Sequence, residues 1–96
     1  MKIGRISNQN FRRIKIDSDS LSILNNTSNE EDIISLKKMN LRGFKYGYIS
    51  SDDSGLTLTG CQPYEQRKNF SIHIAGRPTA QKVIGVVNIY NKSTYL

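Results

Sequence analysis

Apolar residues along this chain fall mostly into short alternating runs closed off by turn-forming residues, and that pattern restricts the available folds more than any other feature. In "NFSIHIA", Phe70, Ile72 and Ile74 lie on one side of an extended backbone and Ser71 and His73 on the other. A period of two is that of a strand with one wet face. Residues 11–16 alternate in the same way, with Ile14 and Ile16 on one face and Arg13, Lys15 and then Asp17 on the other. "SLSIL" continues the run, with Leu21 and Ile23 in phase and a bend over residues 17–20. "FKYGYIS" sets Phe44, Tyr46 and Tyr48 on one face, and "LTLT" turns Leu56 and Leu58 inward. "KVIGVVNIY" is apolar on both faces, which suits a doubly covered strand with a bend at Gly85. "SSDDSG" and "AGRPT" have turn chemistry, because Asp, Ser, Gly and Pro either bond their own backbone or preset it.

One segment breaks the pattern. Ser28 and Glu31 have the spacing of a capping box, acids fill the first turn, and Lys37 and Lys38 fall in the last. Ile33, Ile34, Leu36 and Met39 form a narrow apolar face, so the spacing predicts one short helix at about residues 29–39, stopped by Asn40. Five or six short strands with turns about every ten residues predict a mainly β fold. The expected fold is a small antiparallel β-barrel with this one helix inserted. Phe44, Leu56, Leu58, Phe70, Ile72, Val83 and Ile89 are its expected interior. The 96 residues suit a single domain spanning 1–96.

The charge is uneven. The formal net charge is +6; residues 1–16 carry Lys2, Arg5, Arg12, Arg13 and Lys15 without an acid, and residues 17–32 carry Asp17, Asp19, Glu30, Glu31 and Asp32 without a base. Segregation of this kind makes patches that attract phosphates or an acidic partner. Arg12 and Arg13, at the mouth of the first strand, either grip a phosphate or guard an edge strand against pairing. The N-terminus has no apolar run of a signal peptide, and no stretch approaches the roughly 20 apolar residues that span a bilayer. With Cys61 as the one cysteine, neither an intramolecular disulfide nor a cysteine zinc site can form, and the expected location is cytoplasmic.

Candidates for catalysis are few. His73 is the one histidine and sits mid-strand on the wet face; a Cys61–His73 pair would need a third, orienting group, and none is apparent. Asp52 and Asp53 are adjacent in a turn, where they read as turn formers. No metal site is expected, and the chain is expected to be non-enzymatic. A nucleic-acid reading stands as an alternative. Lys45 lies between Phe44 and Tyr46, and together with Arg67, Lys68 and Arg77 it could line a basic surface on which exposed tyrosines stack bases. If the rings are buried, they are core. A third reading is a phage-type inhibitor of a host protein, with the acidic helix as the contact surface.

The order of elements resembles the PilZ family. A basic lead, "NFRRIKID", enters a strand; "GYISSDDSGLTL" is strand, polar turn, glycine, strand; "NFSIHI" and "KVIGVVNIY" follow. PilZ domains are six-stranded β-barrels that commonly bind cyclic di-GMP through an RxxxR lead and a D/N-x-S-x-x-G turn. With Arg13 on the second arginine, Gln9 falls on the first; with Gly55 on the glycine, Ser50 and Asp52 fall on the other two positions. The resemblance implies a ligand site of Arg12, Arg13, Ser50, Asp52 and Gly55. The departures weaken it, since glutamine lacks the bidentate charged fork and Asp52 repels a dianion. What the resemblance then implies is a signalling adaptor that docks on a protein partner, with cyclic di-GMP binding weak or lost and no other cofactor.

Overall fold

The computed structural model describes residues 13–63 and 70–93. Among these residues the order is β1 (Ile14–Ile16), α1 (Ser18–Thr27), α2 (Glu30–Lys37), β2 (Phe44–Asp52), β3 (Gly55–Pro63), β4 (Ser71–Ala75) and α3 (Ala80–Ser93). The strands form one open sheet in the order β1-β2-β3-β4. β1 runs parallel to β2 in the register Ile14↔Gly47, and β2, β3 and β4 pair antiparallel, with Ile49↔Leu58 and Leu58↔Ile72. Parallel neighbours need a long crossover, and α1 and α2 supply it.

The expected closed barrel of five or six strands with one short helix is therefore not the fold of this chain. The described residues form a four-stranded open α/β sheet with three helices. Two predicted strands are helices. "SLSIL" lies in α1, where Asp17 is the N-cap and its Oδ1 accepts from the Ser20 amide at 2.8 Å. Leu24 and Ser20 are buried one turn apart, so the repeat that matters is the helical one. "KVIGVVNIY" lies in α3, which Thr79 starts by accepting from the Lys82 amide at 3.1 Å. Ala80, Val83 and Val87 are buried at spacings of three and four. Packing of that stripe overrides the strand preference of its Val and Ile residues. The expected interior residue Ile89 points away from the stripe and is 69% exposed.

The helix predicted at about residues 29–39 is α2, with one change at its start. Asn29 rather than Ser28 is the cap, accepting from the Asp32 amide at 2.8 Å. Ser28 Oγ instead accepts from the Ala80 amide at 2.7 Å and ties the start of α3 to the start of α2. The far ends of the two helices lie together as well: Arg13 N–H donates to Lys37 O, and Asn91 Nδ2 donates to Asn40 O. Thr27 Oγ1, at the end of α1, reaches Pro78 O at 3.2 Å.

The core lies between the helices and one face of the sheet. Ile14, Ile49, Leu56, Leu58 and Ile74 from the strands meet Leu24, Ile33, Leu36, Val83 and Val87 from the helices. Fully burying such a side chain contributes about 1.5–3 kcal/mol. The Phe44 ring lies against Gly60 so closely that a Cβ there would come within 2.7 Å of it. Phe44 sits with the core, while Tyr46 and Tyr48 lie on the opposite face.

Candidate functional site

That opposite face is the candidate site. Residues directly across a ladder share a face, and faces alternate along each strand. Lys15 on β1 therefore lies on the same side as Tyr46 and Tyr48 on β2, with Cys61, Thr59 and Thr57 on β3 and Ser71 and His73 on β4; Arg13 immediately precedes β1. Lys15 stands directly across from Tyr48, and its Nζ lies 4.5 Å from the centre of the Tyr46 ring. An ammonium at that distance is drawn to the π-cloud. Tyr48 is 38% exposed, which is high for a ring in the middle of a sheet. Cys61 faces Tyr46 across the ladder and holds its phenol above the usual value. A thiolate there would repel the phenolate, and the shared hydrogen bond and partial desolvation add to the effect.

The charges are sorted into two poles along the strand direction. Asp17 follows β1 and its N–H donates to Ile49 O, so Asp17 and Asp19 lie toward the β2–β3 hairpin. Glu30, Glu31 and Asp32 open α2 at that same end, where Gln81 Nε2 donates to Asp32 Oδ1 at 3.0 Å and Gly76 N–H donates to Ser54 O. Asp52 and Asp53 are in the hairpin itself. These seven are all the acids among the described residues, and Arg77 and Lys82 are the bases beside them. The other pole has Arg13, Lys15, Lys37, Lys38, Arg42, Lys45 and Lys92. The last turns of α2 and α3 end there, and their dipoles suit Lys37 and Lys92. A cavity of about 350 Å³ opens at the basic pole, lined by Arg13, Asn40, Leu41, Arg42, Gly43, Phe44 and Asn91. Arg42 is fixed at its rim, its backbone N–H donating to Asn91 Oδ1 and its Nη1 to Asn91 O.

Of the residues implied by the PilZ resemblance, Ser50, Asp52 and Gly55 lie together at the β2–β3 hairpin, and Arg13 lies apart from them. Arg13 is level with Tyr46, and the hairpin turn lies six residues further along β2, about 20 Å away. Arg12 lies outside the described residues. Ser50 is half-buried on the open face, and Asp52 Oδ1 accepts from Ser54 N, Ser54 Oγ and Gly55 N at 2.8, 2.7 and 3.1 Å. The Ser54 hydroxyl bond, followed by the backbone bonds, holds the Asp52 carboxyl below its ordinary value. Gly55, at φ +150°, is bare because a Cβ would run into the Ile74 carbonyl, so its freedom serves strand packing.

The alternative basic set is dispersed as well. Lys45 is exposed at the start of β2, Arg77 is exposed beyond β4 at the acidic pole, and Arg67 and Lys68 lie outside the described residues. On the acidic helix expected as the inhibitor surface, Glu30 and Glu31 are exposed and Asp32 is half-buried. His73 has both ring nitrogens engaged, Nε2 with Ser54 Oγ at 3.2 Å and Nδ1 with Thr57 Oγ1 at 3.1 Å. No group of three or more His, Cys, Asp or Glu among the described residues could hold a metal ion, and no helix among them is long and apolar enough to cross a membrane.

Lys15 and its pairing with the tyrosines were the missed members of the site. The signal for them was the alternation of Arg13 and Lys15 with Ile14 and Ile16. Compared with known proteins, the chain matches no family model, no curated protein and no solved structure.

Proposed function

We propose that this protein binds single-stranded nucleic acid on the open face of its sheet. The observation that carries the reading is the meeting of a cation and rings there: Lys15 on β1 stands beside Tyr46 and Tyr48 on β2, with Arg13 just before the strand. Single strands are held by cations that track phosphates and by aromatic faces on which bases stack, and stacking tolerates any sequence. A four-stranded sheet with rings on its uncovered face is a geometry that serves this purpose in RNA recognition. The two poles support the same reading, since a polyanion approaching the dipole is turned toward the basic end. The cavity at that end, within the roughly 300–1,000 Å³ of small-ligand sites, adjoins the face through Arg13 and offers a place for a terminal nucleotide.

Duplexes fit less well, because the rings lie on a broad sheet that paired bases cannot reach. The adaptor reading came with the PilZ resemblance, and no specific observation favours it over the open face.

The test is fluorescence anisotropy with labelled single-stranded RNA and DNA oligonucleotides of about ten nucleotides, a length within the usual range for one small domain. Binding should be present at about 50 mM salt and fall linearly on a log–log plot, with a slope near −0.7 for each phosphate neutralised. Lys15→Ala should weaken binding and make the slope shallower. Absence of binding at low salt, or a preference for duplex, would overturn the reading.

A further inference from the structure

The two edges of the sheet are unlike. The β1 edge is three residues long and flanked by Arg13 and Lys15, and charge of this kind discourages pairing with another strand. The β4 edge, "SIHIA", has no Lys, no Pro and no acid. Its hydrogen-bond phase can be worked out. Gly60 N–H donates to Phe70 O and Gly76 N–H donates to Ser54 O, so the bonded pairs of this ladder include Leu58↔Ile72 and Leu56↔Ile74. The N–H and C=O groups of Ser71, His73 and Ala75 therefore point away from β3, toward the open edge.

An apolar strip accompanies that edge. Gln81 and Asn91 reach α2 and the segment after it, which fixes the flank of α3 turned toward α2. Positions 82, 86, 89 and 93 are on the opposite flank of a 3.6-residue helix. Tyr90 stacks on Phe70, just before β4, with ring centres 4.1 Å apart, so α3 lies over that strand. Val86 and the 69%-exposed Ile89 thus lie on the β4 side of α3.

We infer that the β4 edge is the interface for a second copy of this chain, paired antiparallel about a two-fold axis at His73. Ser71 of each copy then faces Ala75 of the other, and all the outward donors and acceptors of 71, 73 and 75 are satisfied. Two features select a second copy over a foreign peptide. The two-fold brings the Val86 and Ile89 flanks of both copies together, so each covers the other's apolar strip. The pairing also leaves both open faces on the same side of one continuous sheet. The inference does not depend on the ligand proposed above.

The experiment is sedimentation equilibrium of the full chain over a concentration series, for wild type, Ile89→Lys and Ser71→Pro. Ile89 is exposed and Ser71 N–H is not used in the β3 ladder, so both variants should stay folded by circular dichroism. The wild type should be a dimer, and each variant should raise the dissociation constant about tenfold or more. Amide exchange at Ser71, His73 and Ala75 should slow as protein concentration rises. A wild type that stays monomeric up to about 1 mM, the weak limit for a specific contact, would overturn the inference. So would a dimer that neither substitution affects, or one that Ile89→Lys leaves intact while the three amides exchange freely.

Discussion

Leu58 and Thr59 are neighbours on β3, yet they face different worlds. Leu58 is 1% exposed among the helices, across from Ile49; Thr59 is half-buried on the open side, across from Tyr48. The same contrast runs across the whole sheet. The helix side is close-packed and apolar, with glycines where neighbours come too near: at Gly47 a Cβ would sit 3.2 Å from both Leu41 and Leu58. The other side, which no described helix covers, has Lys15, Tyr46, Tyr48, threonines and His73. A sheet gains its stability from one face, which leaves the second free to be chosen for contact with something else. Mutations on the two sides should therefore be separable.

The sharpest separation is expected from Leu58→Ala, which opens a cavity between helices and sheet and should cost about 2–5 kcal/mol of stability. Urea denaturation measures it, and the affinity of the fraction still folded should be unchanged. Next is Tyr48→Ala on the other face. It should change stability by less than about 1 kcal/mol, but should weaken single-strand binding by the roughly 1–3 kcal/mol of one stacked base. If Tyr48→Ala unfolds the chain instead, the division of labour between the faces fails. The smallest effect is expected from Gly85→Ala. Gly85 is inside α3 with nothing within 4 Å of where a Cβ would be, so the substitution should stabilise by about 0.5–1 kcal/mol and leave binding untouched. Thermal melts would detect it.

The same asymmetry explains what could be read from the sequence. The alternations in β1, β3 and β4 stand in the chain as they do in the sheet, because a strand with one wet face writes its own period. α2 was legible for a similar reason: its acids, lysines and polar start all mark the helix ends. α1 and α3 were not. Their Leu, Ile and Val residues satisfy a strand pattern locally, and only the burial of Ser20 with Leu24, and of Val83 with Val87, reveals the helical repeat. With two helices taken for strands, a barrel followed.

The open face was half legible. Tyr46 and Tyr48 were grouped correctly, but with Phe44, which is buried on the other side. Gly47 and Gly60, paired across the ladder, were the available hint that the odd face of β2 is the tightly covered one. The distance between Arg13 and the Asp52 turn could not be read at all, because it depends on β1 running parallel to β2. That in turn depends on the helical crossover.

The most direct measurement of the division between faces is an amide and side-chain NMR titration of the ¹⁵N,¹³C-labelled protein with a short single-stranded oligonucleotide at low salt. The expected result is shifts gathered at Arg13, Lys15, Tyr46, Tyr48 and Thr59, with ring resonances of the tyrosines moving most and Glu30, Glu31 and the helix side silent. Saturating shifts centred on the helices or the acidic pole, or no shifts at any position, would contradict the account.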